Sequence, residues 1–228
     1  TQLIVDHSLA VEHAGFESDA FDKNRSIEDR RNDDRFHFIN WTATAFENVD
    51  VIPPGNGIMH QINLERMSSV VHAKDGVAFP DTLVGTDSHT PANGGVGMLA
   101  IGVGSVEGAS ILAGEPLNIP MPEVMGIHLT GRLAEWVSAK DIILTLLQRH
   151  SVKGGTNRIL EYYGPGVATL SAMDRHVIAN MGTELGATSS VFPSDEETQR
   201  FLAENGRAHD YVARAADDGA GFDHHDSI

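Results

Sequence analysis

The sequence predicts an α/β protein whose sheets are mostly parallel. Short apolar runs with strand character, such as Leu3–Val5 and Leu83–Val84, alternate along the chain with longer amphipathic segments, such as 139–147. This alternation is typical of strands joined by helical crossovers. Glycine and proline turns, among them Gly164-Pro165-Gly166, separate the segments.

The composition limits the classes of function. The chain has 228 residues, which suffices for one large or two small domains. Its net charge of −16 disfavours binding to nucleic acids and to anionic membranes. No apolar run has the length of a membrane span. The chain has no cysteine, so it can supply neither a disulfide, nor a thiolate metal ligand, nor a cysteine nucleophile.

Local signals predict the main elements in order. Residues 18–46 are predicted to form a helix, Lys74-Asp75-Gly76 a hairpin turn and residues 124–129 a strand. Later helix starts carry capping patterns, in which a serine is followed three residues on by an acid. These are Ser138 with Asp141, Ser171 with Asp174, and Ser194 with Glu197. Residues 215–228 are predicted to be a linker or tail.

Polar side chains collect where predicted strands end. Asp87-Ser88-His89 follows Leu83–Val84 and precedes a glycine-rich segment, and Asp6-His7 follows Leu3–Val5. An acid beside a histidine can fix the imidazole tautomer and raise its basicity, as general acid–base catalysis requires. His60 follows a glycine turn near a predicted helix N-terminus. Each group, taken alone, is equally compatible with solvated loop residues.

A later helix predicts a further polar face. Asn180 and Glu184 lie four residues apart, so they project from one side of the helix that begins after Ser171. The small residues of Gly186-Ala187-Thr188-Ser189-Ser190 follow directly. Because small residues permit close packing, we predict that this face is buried and functional.

Four blocks in this order make the chain similar to the aconitase family. They are Val5-Asp6-His7-Ser8, the stretch from Pro53 to Gln61, the stretch from Gly85 to Pro91 with its glycine tail, and Asn180 to Thr188. The resemblance covers nearly the whole chain. It implies aconitase-like three-layer α/β/α domains and an iron–sulfur hydro-lyase, which interconverts citrate and isocitrate through cis-aconitate by dehydration and rehydration.

The resemblance also implies a role for each block. Asp6 and His7 resemble the pair that protonates the departing hydroxyl, and His60 with Asp87 resembles a second acid–imidazole pair. The loop of Asp87, Ser88 and His89 resembles one that contacts substrate. Glu184 resembles the carboxylate beside the reacting hydroxyl, and Asn180 resembles a group that supports the cluster.

The family's remaining parts have no counterpart here. The family's carbon base is a serine in a later domain, and its three cluster cysteines also lie later. The resemblance therefore implies the first two domains, 1–125 and 126–214, of a longer cytoplasmic enzyme that carries a [4Fe-4S] cluster. We expect the chain alone to bind no cluster and to be inactive. Its expected partners are a tricarboxylate and the remaining domains, with no nucleic acid and no membrane.

Several alternatives remain open at this point. Part of the N-terminal half is equally similar to hydratases of the 2-methylisocitrate and 2-methylaconitate series, and an isopropylmalate-type isomerase fits less well. A mononuclear metal hydrolase would use His7, His60, His89 and Asp87 as ligands and would purify with stoichiometric zinc. A serine hydrolase built on Ser88 would lack the usual Gly-x-Ser-x-Gly elbow. An RNA-binding role conflicts with the charge.

Overall fold

The computed structural model describes residues 1–5, 10–53 and 56–228. By the density of their contacts, the residues divide into two compact units, Thr1–Ile62 and Asn63–Ile228. Helices alternate with strands, and three of the four sheets formed by the described residues are parallel. The α/β prediction with mostly parallel sheets is therefore confirmed.

The described residues of the first unit form two short parallel strands and three helices. The strands are β1 (Gln2–Ile4) and β2 (Asp50–Ile52), and the helices are α1 (Ala20–Arg31), α2 (Asp33–Ala45) and α3 (Met59–Ile62). The single helix expected over 18–46 is interrupted at Asn32, where ψ is 15°. The Asn32 side chain donates a hydrogen bond to the Glu28 carbonyl at 3.2 Å. Asparagine offers the backbone such local partners outside regular helix geometry, which accounts for the break.

Very little apolar surface is buried in the first unit. Among its described residues, Ile62 is the only buried hydrophobic side chain. The buried Asn24 instead connects the start of the unit to α1, because its side chain accepts from the backbone N–H groups of Glu12 and His13. Two aromatic side chains of α2 are exposed, Phe38 at 60% and Trp41 at 55%. The described part of this unit therefore has no apolar core of its own.

The second unit is built around a four-stranded parallel sheet in the order β10-β7-β8-β9. Its strands are β3 (Val71–Lys74), β4 (Val77–Pro80), β5 (Thr82–Gly85), β6 (Leu99–Gly102), β7 (Glu123–His128), β8 (Arg158–Tyr163), β9 (Ser189–Val191) and β10 (His224–Ser227). Its α-helices are α4 (Ser105–Leu112), α5 (Ala139–His150), α6 (Ala172–Met181) and α7 (Glu196–Glu204). Strands β5 and β6 form a separate parallel pair, and β3 and β4 form an antiparallel hairpin.

The core of this unit lies between the four-stranded sheet and the helices α5 and α6. Fully buried side chains from the sheet, such as Ile127 and Leu160, pack against Leu146 of α5 and Ile178 of α6. The expected capping patterns are present at both helices, since Ser138 N–H donates to Asp141 at 2.8 Å and Ser171 N–H to Asp174 at 3.0 Å. The sequence signals for this core therefore agree with its structure.

Two local expectations differ from the structure. The N-cap of α7 is Asp195, not Ser194, because the Asp195 carboxylate accepts from the N–H groups of Glu197 and Thr198. Residues 224–227 of the expected tail form an edge strand paired with β7. The domain boundary expected near residue 125 stays a prediction. Across that boundary β6 lies beside β9, where the Ser189 hydroxyl donates to the Ala100 carbonyl at 2.6 Å.

Candidate functional site

The loop of Asp87, Ser88 and His89 follows the end of β5. The Asp87 carboxylate accepts a hydrogen bond from the His89 N–H at 2.7 Å, which closes a tight Asx turn. The Thr90 hydroxyl donates to the Asp87 carbonyl at 2.7 Å and holds the other side of the turn. Ser88 and His89 are exposed and Asp87 is half-buried, so the loop presents an imidazole and a hydroxyl to solvent.

A buried 3₁₀ helix, Thr90–Val96, carries this loop; we call it the glycine helix. Its Gly94 carbonyl accepts from the Phe192 N–H at 2.9 Å, just beyond β9. A Cβ atom on Gly95 would lie 2.8 Å from the backbone nitrogen of His176 in α6, closer than side chains tolerate. Only glycine therefore allows the loop to approach β9 and α6 this closely.

Helix α6 and the 3₁₀ turn after it carry Asn180 and Glu184. We call the turn, Gly182–Leu185, the site turn. The α-helix ends at Met181, so the two residues do not share one helical face as the spacing predicted. The Thr183 hydroxyl donates to the Asn180 carbonyl at 3.0 Å, which tightens the chain into the narrower turn.

Burial of the two side chains differs. The prediction that this face is buried is wrong for Glu184, which is exposed because it lies on the turn beyond the end of α6. The Asn180 amide oxygen is buried and has no hydrogen-bond partner among the described residues. Ser189 and Ser190, which follow the site turn, are both fully buried. A buried amide oxygen without a partner costs free energy and commonly marks a functional position.

The N-terminal end of α6 is anchored by Arg175, a residue that the sequence patterns did not single out. Its guanidinium is completely buried and pairs with both oxygens of Asp195, each at 2.8 Å. It also donates to the Val167 carbonyl at 3.0 Å. This fork of hydrogen bonds links α6 to the start of α7 and fixes the direction from which Asn180 approaches the site.

His60 belongs to the first unit, where it is the second residue of α3. Its predicted place near a helix N-terminus is confirmed, and its side chain is buried. A π-helical turn, Asn63–Met67, follows it in the chain. Arg207 donates to the carbonyls of Leu64 and Ser68 at the end of this turn. Turns of this kind are frequent at functional sites.

The predicted site residues are divided between the two units. In the second unit, the glycine helix that carries the loop of Asp87 to His89 packs against α6, the helix that contains Asn180. Asp6 and His7 lie outside the described residues. Within 1–5, 10–53 and 56–228 no group of three or more acids and histidines is arranged to hold a metal ion.

No helix among the described residues has the length and apolar character that crossing a membrane requires.

Fold and site together define a class: an α/β protein with acid and imidazole groups on a turn at a strand end, and with an amide and a carboxylate on a helix and the turn after it. Comparison with known proteins makes the assignment specific. The model of the aconitase family (aconitate hydratase) matches residues 1–226, and the chain belongs to this family. The family resemblance noted in the sequence is therefore confirmed.

Curated relatives carry two different names. The chain is 54% identical over 212 residues to a 2-methylcitrate dehydratase (2-methyl-trans-aconitate forming) of Shewanella oneidensis, covering 93% of this chain and 24% of the relative. It is 54% identical over 209 residues to aconitate hydratase A of Cupriavidus necator, covering 90% and 24%. Aconitate hydratase A of Pseudomonas aeruginosa is 46% identical, with 90% and 23% covered. The chain spans about a quarter of the length of these relatives.

The residues of this chain do not fit an iron–sulfur cluster. Such clusters are held by cysteine thiolates, and the sequence contains no cysteine. The carboxylates and imidazoles of the described residues form no metal-binding group that could replace thiolates. What the chain offers is proton-transferring and hydrogen-bonding groups.

Proposed function

We propose that this chain is the N-terminal part of a hydro-lyase that isomerises citrate and isocitrate through cis-aconitate. The single observation that carries the proposal is the close packing of the glycine helix against α6, which joins the loop of Asp87 to His89 with the segment of Asn180 and Glu184. Both segments belong to blocks that resemble the aconitase family. Membership of that family supports the reaction class.

In this proposal the chain handles protons and orients the substrate. Dehydration breaks a carbon–oxygen bond, and the departing hydroxyl needs a proton. We assign that proton to the imidazolium of His7, held by Asp6, and we assign His60 with Asp87 as the second acid–imidazole pair. Ser88 and His89 contact substrate, and His89 donates or accepts a proton there. The Glu184 carboxylate lies beside the reacting hydroxyl, and the Asn180 amide supports the catalytic centre.

The remaining groups lie in a longer polypeptide, which we call the extended protein: it contains this chain and has the length of the curated relatives. We propose that it supplies the base for the carbon proton, the cysteines of a [4Fe-4S] cluster and most groups that bind the carboxylates. Residues 1–125 and 126–214 are its first two proposed domains, and its proposed location is the cytoplasm. The mononuclear hydrolase is the weaker alternative, because the chain belongs to the aconitase family.

A second candidate substrate is the 2-methylcitrate series. One specific observation favours it, namely that identity to the 2-methylcitrate dehydratase and to one aconitate hydratase A is the same, 54%. The two series differ by one methyl group. Because one methyl group in an apolar pocket changes specificity by about 10- to 200-fold, rates on both substrates separate the candidates.

The experiment that tests the function uses Glu184→Gln in the extended protein, with Glu204→Gln as the matched control. Both glutamates are exposed, so neither substitution should alter folding. We expect Glu184→Gln to lower kcat for cis-aconitate hydration by about 100-fold or more, with KM little changed. The control should retain wild-type kcat. Normal turnover by Glu184→Gln would remove the site turn from the mechanism.

A further inference from the structure

Ser190 of β9 lies between the two segments that carry the candidate site. It is completely buried, and its strand is held in register by pairing with Leu160 of β8. Its side-chain hydroxyl contacts Gly182 at the start of the site turn, and its backbone carbonyl contacts Gly94 of the glycine helix. One residue therefore contacts the backbones of both segments.

The Ser190 hydroxyl occupies the space that a side chain at position 182 would need. Its backbone dihedrals, φ −58° and ψ −28°, are helical, and any residue adopts them. Alanine would favour this conformation over glycine. A Cβ atom at position 182, however, would overlap the Ser190 oxygen, whereas the Cβ of Ser190 would lie at an ordinary 3.6 Å. The hydroxyl is therefore the atom that would have to move to admit a side chain here.

Gly94 is glycine for a different reason. A Cβ atom there would overlap the carbonyl oxygen of Ser190, which is backbone and does not depend on the residue type at position 190. The Phe192 N–H donates to the Gly94 carbonyl at 2.9 Å and keeps the two backbones together. The contact with the site turn thus depends on the serine side chain, while the contact with the glycine helix does not.

The Ser190 hydroxyl also interacts with the buried hydroxyl of Tyr162. Burial raises the pKa of Tyr162, and a hydrogen bond with Ser190 lowers it by less, so this phenol stays neutral. The hydrogen bond is poorly aligned, and neither hydroxyl has another partner among the described residues. A poorly aligned hydrogen bond compensates the burial of two hydroxyls only in part.

We propose that Ser190 is a positioning residue that sets the separation between the loop of Asp87 to His89 and the turn that bears Glu184. The inference rests on the proposed function, because it gives that separation a catalytic purpose. Without the hydroxyl, the site turn can move toward β9, and Asn180 and Glu184 move with it. The backbone contact at Gly94 keeps the loop where it is.

Thermal unfolding of four variants tests the contacts. Gly182→Ala should lower the melting temperature by roughly 3–10 °C through overpacking. The double variant Gly182→Ala with Ser190→Ala should recover most of this loss. Gly94→Ala should be at least as destabilised, and adding Ser190→Ala should recover none of it. Equal recovery in both pairs, or recovery in neither, would overturn the assignment of the hydroxyl.

Two further measurements on Ser190→Ala separate positioning from simple packing. NMR spectra of the chain should show shifts of the Asn180 side-chain amide and of the Glu184 backbone amide, with the Ser88 amide unchanged. In the extended protein, kcat should fall about tenfold with KM unchanged. Unshifted amides or wild-type kcat would overturn the proposal. If the wild-type extended protein shows no hydration, the proposed function fails, and the unfolding and NMR results still decide the geometry.

Discussion

The ion pair of Arg175 and Asp195 gives the sharpest prediction about stability. Replacing Arg175 with methionine removes a completely buried guanidinium that pairs with both carboxylate oxygens at 2.8 Å. The Pro193 carbonyl loses a donor at the same time, and the Val167 carbonyl keeps only the Leu170 N–H. Asp195 keeps its role as the N-cap of α7, so the effect reports on the link between α6 and α7.

The magnitude follows from the burial of the two partners. Removing one partner of a buried pair costs about 3–5 kcal/mol. The Asp195 side chain is 31% exposed, so water partly solvates the carboxylate left behind and the cost falls near the lower limit. About 3 kcal/mol corresponds to a melting temperature lowered by about 6–12 °C for a chain of this size.

Far-UV circular dichroism during heating measures this shift. Arg200→Met is the matched control, because Arg200 pairs with Glu197 on the surface of α7, where its side chain is 59% exposed. Exposed pairs contribute about 0–1 kcal/mol, so the control should melt within about 4 °C of wild type. Equal melting temperatures for Arg175→Met and the control would refute the argument that this pair anchors α6.

Three other predictions concern other parts of the chain. Partial burial raises the pKa of Asp226, but hydrogen bonds from His150 and the Ser227 N–H outweigh this and leave it below its usual value. A carboxylate whose pKa is lower in the folded than in the unfolded protein stabilises the fold at pH values above its unfolded-state pKa of about 3.9. This stabilisation is lost as the pH falls through the pKa of the folded state. Hydrogen exchange in 224–228 should therefore lose protection below about pH 4, and Asp226→Asn should abolish this pH dependence. Limited proteolysis should cut within 1–62 before 123–204, because the first unit buries so little apolar surface; initial cuts in α5 or α6 would contradict this. His7→Ala in the extended protein should lower kcat about 100-fold or more with little change in KM, and near-normal turnover would exclude His7 as the proton donor.

Sequence patterns predicted the second unit well because its signals are local. The capping serines, the apolar periodicity of α5 and the strand at β7 each depend on neighbours within a few residues. The turn at Asp75 and Gly76 is equally local, and both residues adopt the positive φ that the hairpin predicted. Prediction fails where a neighbouring side chain offers the backbone a competing hydrogen bond. Asn32 interrupts the predicted helix in this way, and Asp195 replaces Ser194 as the N-cap of α7.

The candidate site depended on contacts that no local pattern encodes. The motif blocks indicated Asp87, His89, Asn180 and Glu184. Nothing in their spacing predicted that Gly94 and Gly182 would pack against Ser190. Arg175 gave no signal because an arginine in an amphipathic helix is usually exposed, and its burial depends on Asp195, twenty residues later. The sequence patterns did not predict strand β10, because His224 and Asp226 are polar. Pairing with β7 places these residues in a sheet.

The central claim is that this chain is a necessary but incomplete part of an aconitase-type hydro-lyase. The most direct test is a hydration assay with cis-aconitate after anaerobic cluster reconstitution, performed in parallel on the chain alone and on the extended protein. The account predicts sustained hydration by the extended protein and a rate equal to buffer for the chain alone, which contains no cysteine. Sustained hydration by the chain alone, or none by the reconstituted extended protein, would contradict it.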